Sequence, residues 1–453
     1  MKHIDLLGEY EWLADFQIPG VEDKISGIVK YNKDDGLKIE LLVPENIYNP
    51  HRQEDKMKFD VLYGANNDLG LFTLINVKEL GYSSNWVYTS CKCSAEILII
   101  GGAFDSKDAI FDKMTFNTND LESFCTHNNH LIEIDYKPLL SAKMGGADFR
   151  IGKAWSSSCS HRNRIYFSGD KADELKKELA ELEKRYAEQK TYIGSKDKVE
   201  LYFIYEKQGS YRDYFSFLYD INSLLSILML RPIYTLQVSF YHKDGIKTHD
   251  GLHSIDKEYQ VLFTPYIRNK KYDLEKNNYH SLLFHLEDFS NFDDIFCNFS
   301  KLNDDKNIIL QVLRKNIYRD NVANVYERYI MLVTALEAAY YQFGKKFKTE
   351  ACYDEVINLY AGDRIISDIM RYLDCDNNAI GKILSSIRNY IVHYNNKDKK
   401  AKKIIASIDF YNLCESLYMV LAIATCEFLG FEGRLLGLLQ YNYDKIGHGW
   451  SRD

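Results

Sequence analysis

The sequence predicts an α+β chain, with a β-rich region over residues 1–300 followed by an all-helical bundle over 301–453. Three observations carry this. Short apolar runs separated by polar, glycine-bearing turns fill the first part. From Asn307 onward nearly every segment has helical periodicity. With 453 residues and 46% hydrophobic content, the chain can bury a large core and is longer than a typical single domain.

The β-rich region opens with a polar-aromatic segment from Ile4, then strands at Ile25–Tyr31 and Leu37–Val43. Between them lies Asn32-Lys-Asp-Asp-Gly36, a polar turn whose terminal glycine can take positive φ. Further strands are predicted at Lys58–Tyr63, Gly70–Ile75, Asn85–Thr89, Ala95–Ile100 and Ala109–Phe116. Their short lengths and polar connections suit an antiparallel sheet, a sandwich or an open barrel rather than repeated β-α units. A charged helix is predicted over 170–191, with an apolar stripe at Leu175, Leu179, Leu182 and Tyr186, and the region divides near 165–195. Beyond it, Lys198–Glu206 and Ile233–His242 alternate like strands, while Tyr214–Met229 reads as helix or mixed core. The predicted bundle helices are Ile308–Ile317, Val322–Phe343, Cys352–Leu359, Ile365–Leu373, Ile380–Tyr394 and Ala401–Leu429.

Composition excludes several classes. Charged residues make up 27% of the chain, as in ordinary globular proteins. The N-terminus lacks a basic segment followed by an apolar one, so no secretory signal is expected. The most apolar stretches, Ile330–Phe343 and Tyr411–Phe431, are interrupted by Glu337 and by Asn412, Glu415 and Glu427, as buried helices often are. Nine dispersed cysteines favour free thiols in a reducing compartment, and a cytoplasmic location is expected. The glycine pairs Gly101-Gly102 and Gly145-Gly146 lack the strand-loop-helix context of a phosphate cradle and are expected in turns.

The candidate metal ligands are Cys91, Cys93, Cys125, His127, His130, Cys159 and His161, all types that bind zinc. Their one-residue separations depart from the usual zinc knuckle, so the expectation is no metal and no cofactor. The net charge of −8 is uneven: 21 Lys and Arg against 19 Asp and Glu from Lys301 onward give +2, leaving −10 on the first 300 residues. An acidic whole argues against a general nucleic-acid coat but allows a confined basic site. Lys397, Lys399, Lys400, Lys402 and Lys403 form such a run, either an RNA-contacting patch or a solvated helix start.

The informative string is Ser386-Ile-Arg-Asn-Tyr-Ile-Val-His-Tyr394. Arg388 and His393 are five positions apart, which places them roughly 140° apart on an ideal helix. Asn389 and His393 share a face at i,i+4, and the long arginine can wrap toward the helix end. Metal-free RNA cleavage needs a proton shuttle and a phosphate clamp. Histidine titrates near neutrality, and arginine holds phosphate bidentately while staying charged. His393 is the candidate acid or base, Arg388 the transition-state stabiliser, and Asn389 an orienter of the imidazole or the phosphate.

Arg388-Asn-Tyr-Ile-Val-His393, with the upstream helix of Arg328, Leu332, Ala335-Leu-Glu337 and Tyr340, resembles the HEPN ribonuclease superfamily. The opening Leu7-Gly-Glu-Tyr-Glu-Trp12, Pro19, Ile25-Ser-Gly27 and Gly36-Leu-Lys-Ile-Glu-Leu41 narrows this to a resemblance to ApeA-like abortive-infection proteins. The resemblance implies a sensor or inhibitor region ahead of a dormant RNase, RNA as substrate with tRNA a candidate, and activation by a phage-derived partner; the separation of Arg388 and His393 around their helix leads to the expectation of a homodimer through the HEPN bundle. It also implies that Glu337 supports the active-site arginine or histidine. Two other functions compete: a non-catalytic HEPN scaffold that dimerises or binds RNA, and a ligand- or carbohydrate-binding β protein suggested by Trp12, Trp86, Tyr88 and Trp155.

Overall fold

The computed structural model describes residues 4–44, 56–84, 87–125, 138–144, 146–157, 197–247, 254–264, 284–289, 291–302, 307–318, 324–343, 349–393, 398–407 and 409–441, with a few isolated positions besides. Within these, β-strands occupy the first part and helices nearly all of the chain from Phe292 on.

The first strands are β1 (Glu9–Gln17), β2 (Ile25–Asn32), β3 (Gly36–Pro44), β4 (Lys58–Asn66), β5 (Gly70–Ser84), β6 (Tyr88–Ala95) and β7 (Ile97–Ile100). The β2–β3 turn forms as its sequence dictates: Asn32 Oδ1 accepts the amides of Asp34 and Asp35, and Gly36 takes φ 72°. Strand β5, predicted to stop at Ile75, runs on to Ser84. Its first half pairs with β4 and β7, and its second half, beyond an irregularity between Glu79 and Gly81, pairs with β6. The ring β5-β4-β1-β2-β3-β6 therefore closes into a six-stranded barrel. Alternating burial along β2 and β6 fills it with Ile25, Val29, Cys91 and Cys93 among others. The predicted strand at Asn85–Thr89 is displaced to Tyr88–Ala95, and Asn85 and Trp86 lie outside the described residues.

From β7 the sheet continues open. Its further strands are β8 (Ile110–Phe111), β9 (Lys113–Thr118), β10 (Leu140–Met144), β11 (Ala147–Ser157), β12 (Asp197–Glu206), β13 (Gly209–Ser210), β14 (Thr235–Lys247) and β15 (Ser254–Phe263). The order is β7-β15-β14-β9-β12-β11-β10, every described pairing being antiparallel, and β8 pairs with β13 apart from it. After the short helix α1 (Leu121–Cys125), helix α2 (Tyr211–Met229) covers the open sheet. Ser210 and Asp213 cap α2 reciprocally. It packs by aromatic contacts: Phe217 stacks on Tyr205 at 3.7 Å, and Phe215 lies 4.4 Å from Phe263. Gly101 and Gly146 take positive φ, as turn glycines do. Of the predicted 170–191 helix, Glu174, Lys177, Glu178, Glu181 and Arg185 are helical and exposed, while Leu175, Leu179, Leu182 and Tyr186 lie outside the described residues.

The helical part comprises α3 (Phe292–Leu302), α4 (Ile308–Tyr318), α5 (Val325–Gln342), α6 (Thr349–Tyr360), α7 (Asp363–Leu373), α8 (Ile380–His393), α9 (Lys399–Ile405), α10 (Asp409–Leu429) and α11 (Arg434–Tyr441). Asn324 caps α5, so that helix starts three residues later than predicted. The single helix predicted over Ala401–Leu429 is two, because the chain turns at Ser407, whose amide and hydroxyl both donate to Ile404 O. Helix α10 is long and apolar enough to cross a membrane, yet its residues from Leu413 to Cys426 are buried in the bundle. It is tied to α5 by a buried ion pair, Arg328 Nη1 to Glu415 Oε1 at 2.5 Å.

Sheet and bundle share one continuous core. Between them, the Tyr318 hydroxyl donates to Ile233 O at 2.8 Å and accepts from Ile233 N at 3.2 Å. Arg314 bonds the Tyr219 hydroxyl, and Asp293 on α3 accepts the Lys143 amide at 3.0 Å.

Candidate active site

Helix α8 carries the Arg–His motif, and three contacts hold its first half to neighbouring elements. At its start, Asp354 of α6 accepts the Gly381 amide at 2.6 Å. Halfway along, Ser386 bonds the Asp398 carboxylate, which also accepts the Ala401 amide at 2.9 Å and so caps α9. Those hydrogen bonds hold the Asp398 carboxyl below the usual carboxylate range. In the middle, the buried Tyr329 hydroxyl of α5 donates to Leu384 O at 2.8 Å. A helix pinned at three points presents its side chains in fixed directions.

Arg388 is half-buried and leans onto α5 and α6. Its Nη1 lies 3.1 Å from Glu337 Oε2 and 3.4 Å from the Tyr353 hydroxyl, which is itself 3.5 Å from the same carboxylate oxygen. Nε and Nη2 of Arg388 have no hydrogen-bond partner among the described residues, so two donors remain for an incoming anion. Burial, together with the neighbouring Glu337 charge, pushes the Tyr353 phenol up to about 12, so it stays protonated as a donor. Glu337 thus meets the arginine rather than the histidine. Tyr353 was not singled out from sequence, where it reads as one more apolar position of a bundle helix.

His393 is the last residue of α8 and is exposed, as is Asn389 one turn earlier. Neither has a hydrogen bond to Arg388 among the described contacts. One chain therefore brings together Arg388, Glu337 and Tyr353, and leaves the imidazole facing solvent on another side of the helix. Lys399, Lys400, Lys402 and Lys403 are exposed on α9, directly beyond that end, with Lys400 Nζ donating to Asp374 O at 2.9 Å; Lys397 lies outside the described residues.

Among the described residues no cluster of three metal-ligating side chains occurs. Cys91 and Cys93 point into the barrel, where burial pushes their thiols up to about 12, and Cys125 ends α1. Thiols held protonated in an apolar interior are packing groups rather than ligands. His127, His130, Cys159 and His161 lie outside the described residues. Of the aromatics, Trp12 stacks on Tyr10 at 5.2 Å and Tyr88 is exposed on β6.

A barrel-and-sheet region fused to a helical bundle, with an arginine and a histidine near the end of one bundle helix, defines a HEPN-type protein with a β-rich partner region. Residues 11–299 match the family described as ApeA N-terminal domain 1, and residues 267–434 match Apea-like HEPN. The chain belongs to the ApeA family, whose architecture joins these two parts in antiviral abortive infection with a HEPN nuclease domain. No curated protein and no solved structure matches it.

Proposed function

We propose that this protein is a metal-independent endoribonuclease of abortive infection, acting in the cytoplasm on RNA, with tRNA the favoured substrate. The observation that supports this most is the Arg388 guanidinium, oriented by Glu337 and Tyr353 with two donors unoccupied, on the same helix end as an exposed histidine. Arg388 would clamp the scissile phosphate and meet the charge that develops there. His393 would move a proton, either from the ribose 2'-hydroxyl or to the departing 5'-oxygen. Attack by the 2'-oxygen on phosphorus breaks the bond to the 5'-oxygen, leaving a 2',3'-cyclic phosphate and a 5'-hydroxyl. Asn389 orients the imidazole or the phosphate, and the α9 lysines extend the electrostatic track.

Because the two motif side chains face apart on one helix, a homodimer through the bundle would supply two sets across a shared cleft. The acidic β-rich region would restrain the nuclease until a phage-derived partner releases it. The test is to incubate the full chain with total RNA and purified tRNA, in EDTA and with added divalent metal, and to map the ends. Cyclic-phosphate ends that persist in EDTA support the proposal. Cleavage that vanishes on chelation and returns with metal overturns it, and binding without any cleavage, in vitro or in phage-infected cells, favours the scaffold instead.

A further inference from the structure

Outside the candidate active site, a cavity of about 720 Å³ lies between sheet and bundle. None of its lining residues belongs to α8. One wall is α2, with Ser216, Tyr219 and Asn222; another is α4, with Arg314, Lys315 and Tyr318; a third comes from Ile233–Thr235 and the end of β15 at Phe263. The volume lies in the range of small-molecule sites, at the junction of two structural parts where such sites concentrate.

Three observations on its walls specify the chemistry of an occupant. The first is charge. Lys33, Arg212, Arg314 and Lys315 line the cavity against Asp34 and Glu96, a local excess of two positive charges in contact with a region carrying −10 overall. Glu96 is already engaged by Asn76 and by the Tyr211 hydroxyl at 3.3 Å. The second is the state of Arg314. Its guanidinium stacks over the Tyr219 ring at 4.0 Å and Nη1 bonds that hydroxyl, but Nε and Nη2 are buried with no hydrogen-bond partner. Burial pulls its pKa down from the ordinary arginine value, against the opposing effect of Tyr219, Asp220 and Tyr318 nearby. The third is Asn222. Its Nδ2 donates to Thr235 Oγ1 at 2.7 Å, while Oδ1 is buried without a donor. Buried polar groups are rarely left unpaired, and two unpaired groups of opposite sense in one cavity require an anion at one and an N–H donor at the other. Tyr219, Tyr234 and Tyr318 line the same cavity, the last two meeting edge to face at 5.7 Å.

We propose that this cavity binds a small phosphorylated ligand with a flat, amine-bearing ring, of the mononucleotide class. The phosphates would meet Arg314 and Lys315, the ring would lie among the tyrosines, and Asn222 Oδ1 would accept from its exocyclic amine. Since α2 belongs to the sheet region and α4 to the bundle, an occupant would touch both parts.

The test is calorimetric titration of the full-length protein with AMP, ATP and GMP, beside adenosine, which lacks the charge, and pyrophosphate, which lacks the ring. Saturable binding of a nucleotide, about tenfold or more tighter than adenosine or pyrophosphate, is expected. Ser216 and Lys315 are exposed at the cavity, so Ser216→Trp and Lys315→Glu should each weaken binding about tenfold without lowering the melting temperature. Arg388→Ala should leave it unchanged. No binding of any nucleotide, pyrophosphate binding as tightly as nucleotide, loss with Arg388→Ala but not with Ser216→Trp, or a short RNA occupying this face where mononucleotides do not, would each overturn the proposal.

Discussion

Glu337 and Arg388 stand 51 positions apart in the chain and meet at 3.1 Å, so the carboxylate of one bundle helix sets the direction of the guanidinium on another. Removing that carboxylate should misplace the arginine without removing its charge. Glu337→Gln is expected to slow RNA cleavage by roughly 10- to 100-fold. Tyr353→Phe should do less, since it removes only the longer of the two contacts. Cleavage rates under single-turnover conditions, with circular dichroism to check the fold, measure this; rates unchanged in Glu337→Gln would separate the ion pair from the chemistry.

The two motif residues should fail in different ways. His393→Ala is expected to lose about 10²- to 10⁴-fold in rate because a proton-transfer group disappears. Arg388→Ala should be similarly severe, and Arg388→Lys should rescue it poorly, since an ammonium cannot reproduce the planar fork. Asn389→Ala should be milder. Toxicity in cells and plaque formation provide a second readout, independent of activity in the purified protein.

The Arg328–Glu415 pair is enclosed by the bundle core, with side-chain exposures of 10% and 9%. Breaking one side leaves a buried charge, so Glu415→Leu or Arg328→Met alone should cost about 3–5 kcal/mol in urea unfolding. The double replacement should recover most of that loss, because no unpaired ion remains. A double variant as unstable as either single one would mean that the pair acts through packing alone.

Asp398 gives a pH-dependent contribution whose sign follows from its lowered pKa. A carboxylate with a folded-state pKa below its unfolded value of about 3.9 contributes stability above that value, lost as pH falls through the folded pKa. Asp398→Ala should therefore be less stable than wild type near neutrality, by about 1 kcal/mol for the lost cap. The gap should narrow in acid below roughly pH 4. Denaturation series at several pH values test this.

Thiol reactivity should follow burial. Cys297 is exposed, whereas Cys91, Cys93, Cys414 and Cys426 are buried with thiols raised to about 12. Iodoacetamide should label Cys297 in the native protein and the other four only after unfolding. Fast native labelling of Cys91 or Cys93 would mean that the barrel opens.

Local signals were legible in the sequence where local chemistry decides. The Asn32–Gly36 turn, the alternation along β2 and the periodic helices of the bundle follow from nearest-neighbour physics. Barrel closure does not, because it depends on β5 continuing past Glu79 to reach β6, a pairing with no mark in the run that ends at Ile75. Likewise the Ser407 break in the last predicted helix falls within an unbroken periodic pattern. Arg388 and His393 stand out through their spacing together with the resemblance of the surrounding helices to HEPN domains, and Glu337 as a charge on an apolar helix. Tyr353 carried no such contrast, since a tyrosine among apolar neighbours looks the same whether its hydroxyl serves an arginine or nothing.

The order of strands along the chain also sets a timetable for synthesis. Strand β7 can complete its place in the sheet only when β15 arrives, through pairings such as Val261 with Ile99. Every described strand is therefore available before the ribosome reaches Arg388. At ordinary elongation rates the interval is on the order of ten seconds, long enough for the sheet to assemble first. If the sheet restrains the nuclease, each newly made molecule meets its own safety device before it acquires the residues that make it dangerous.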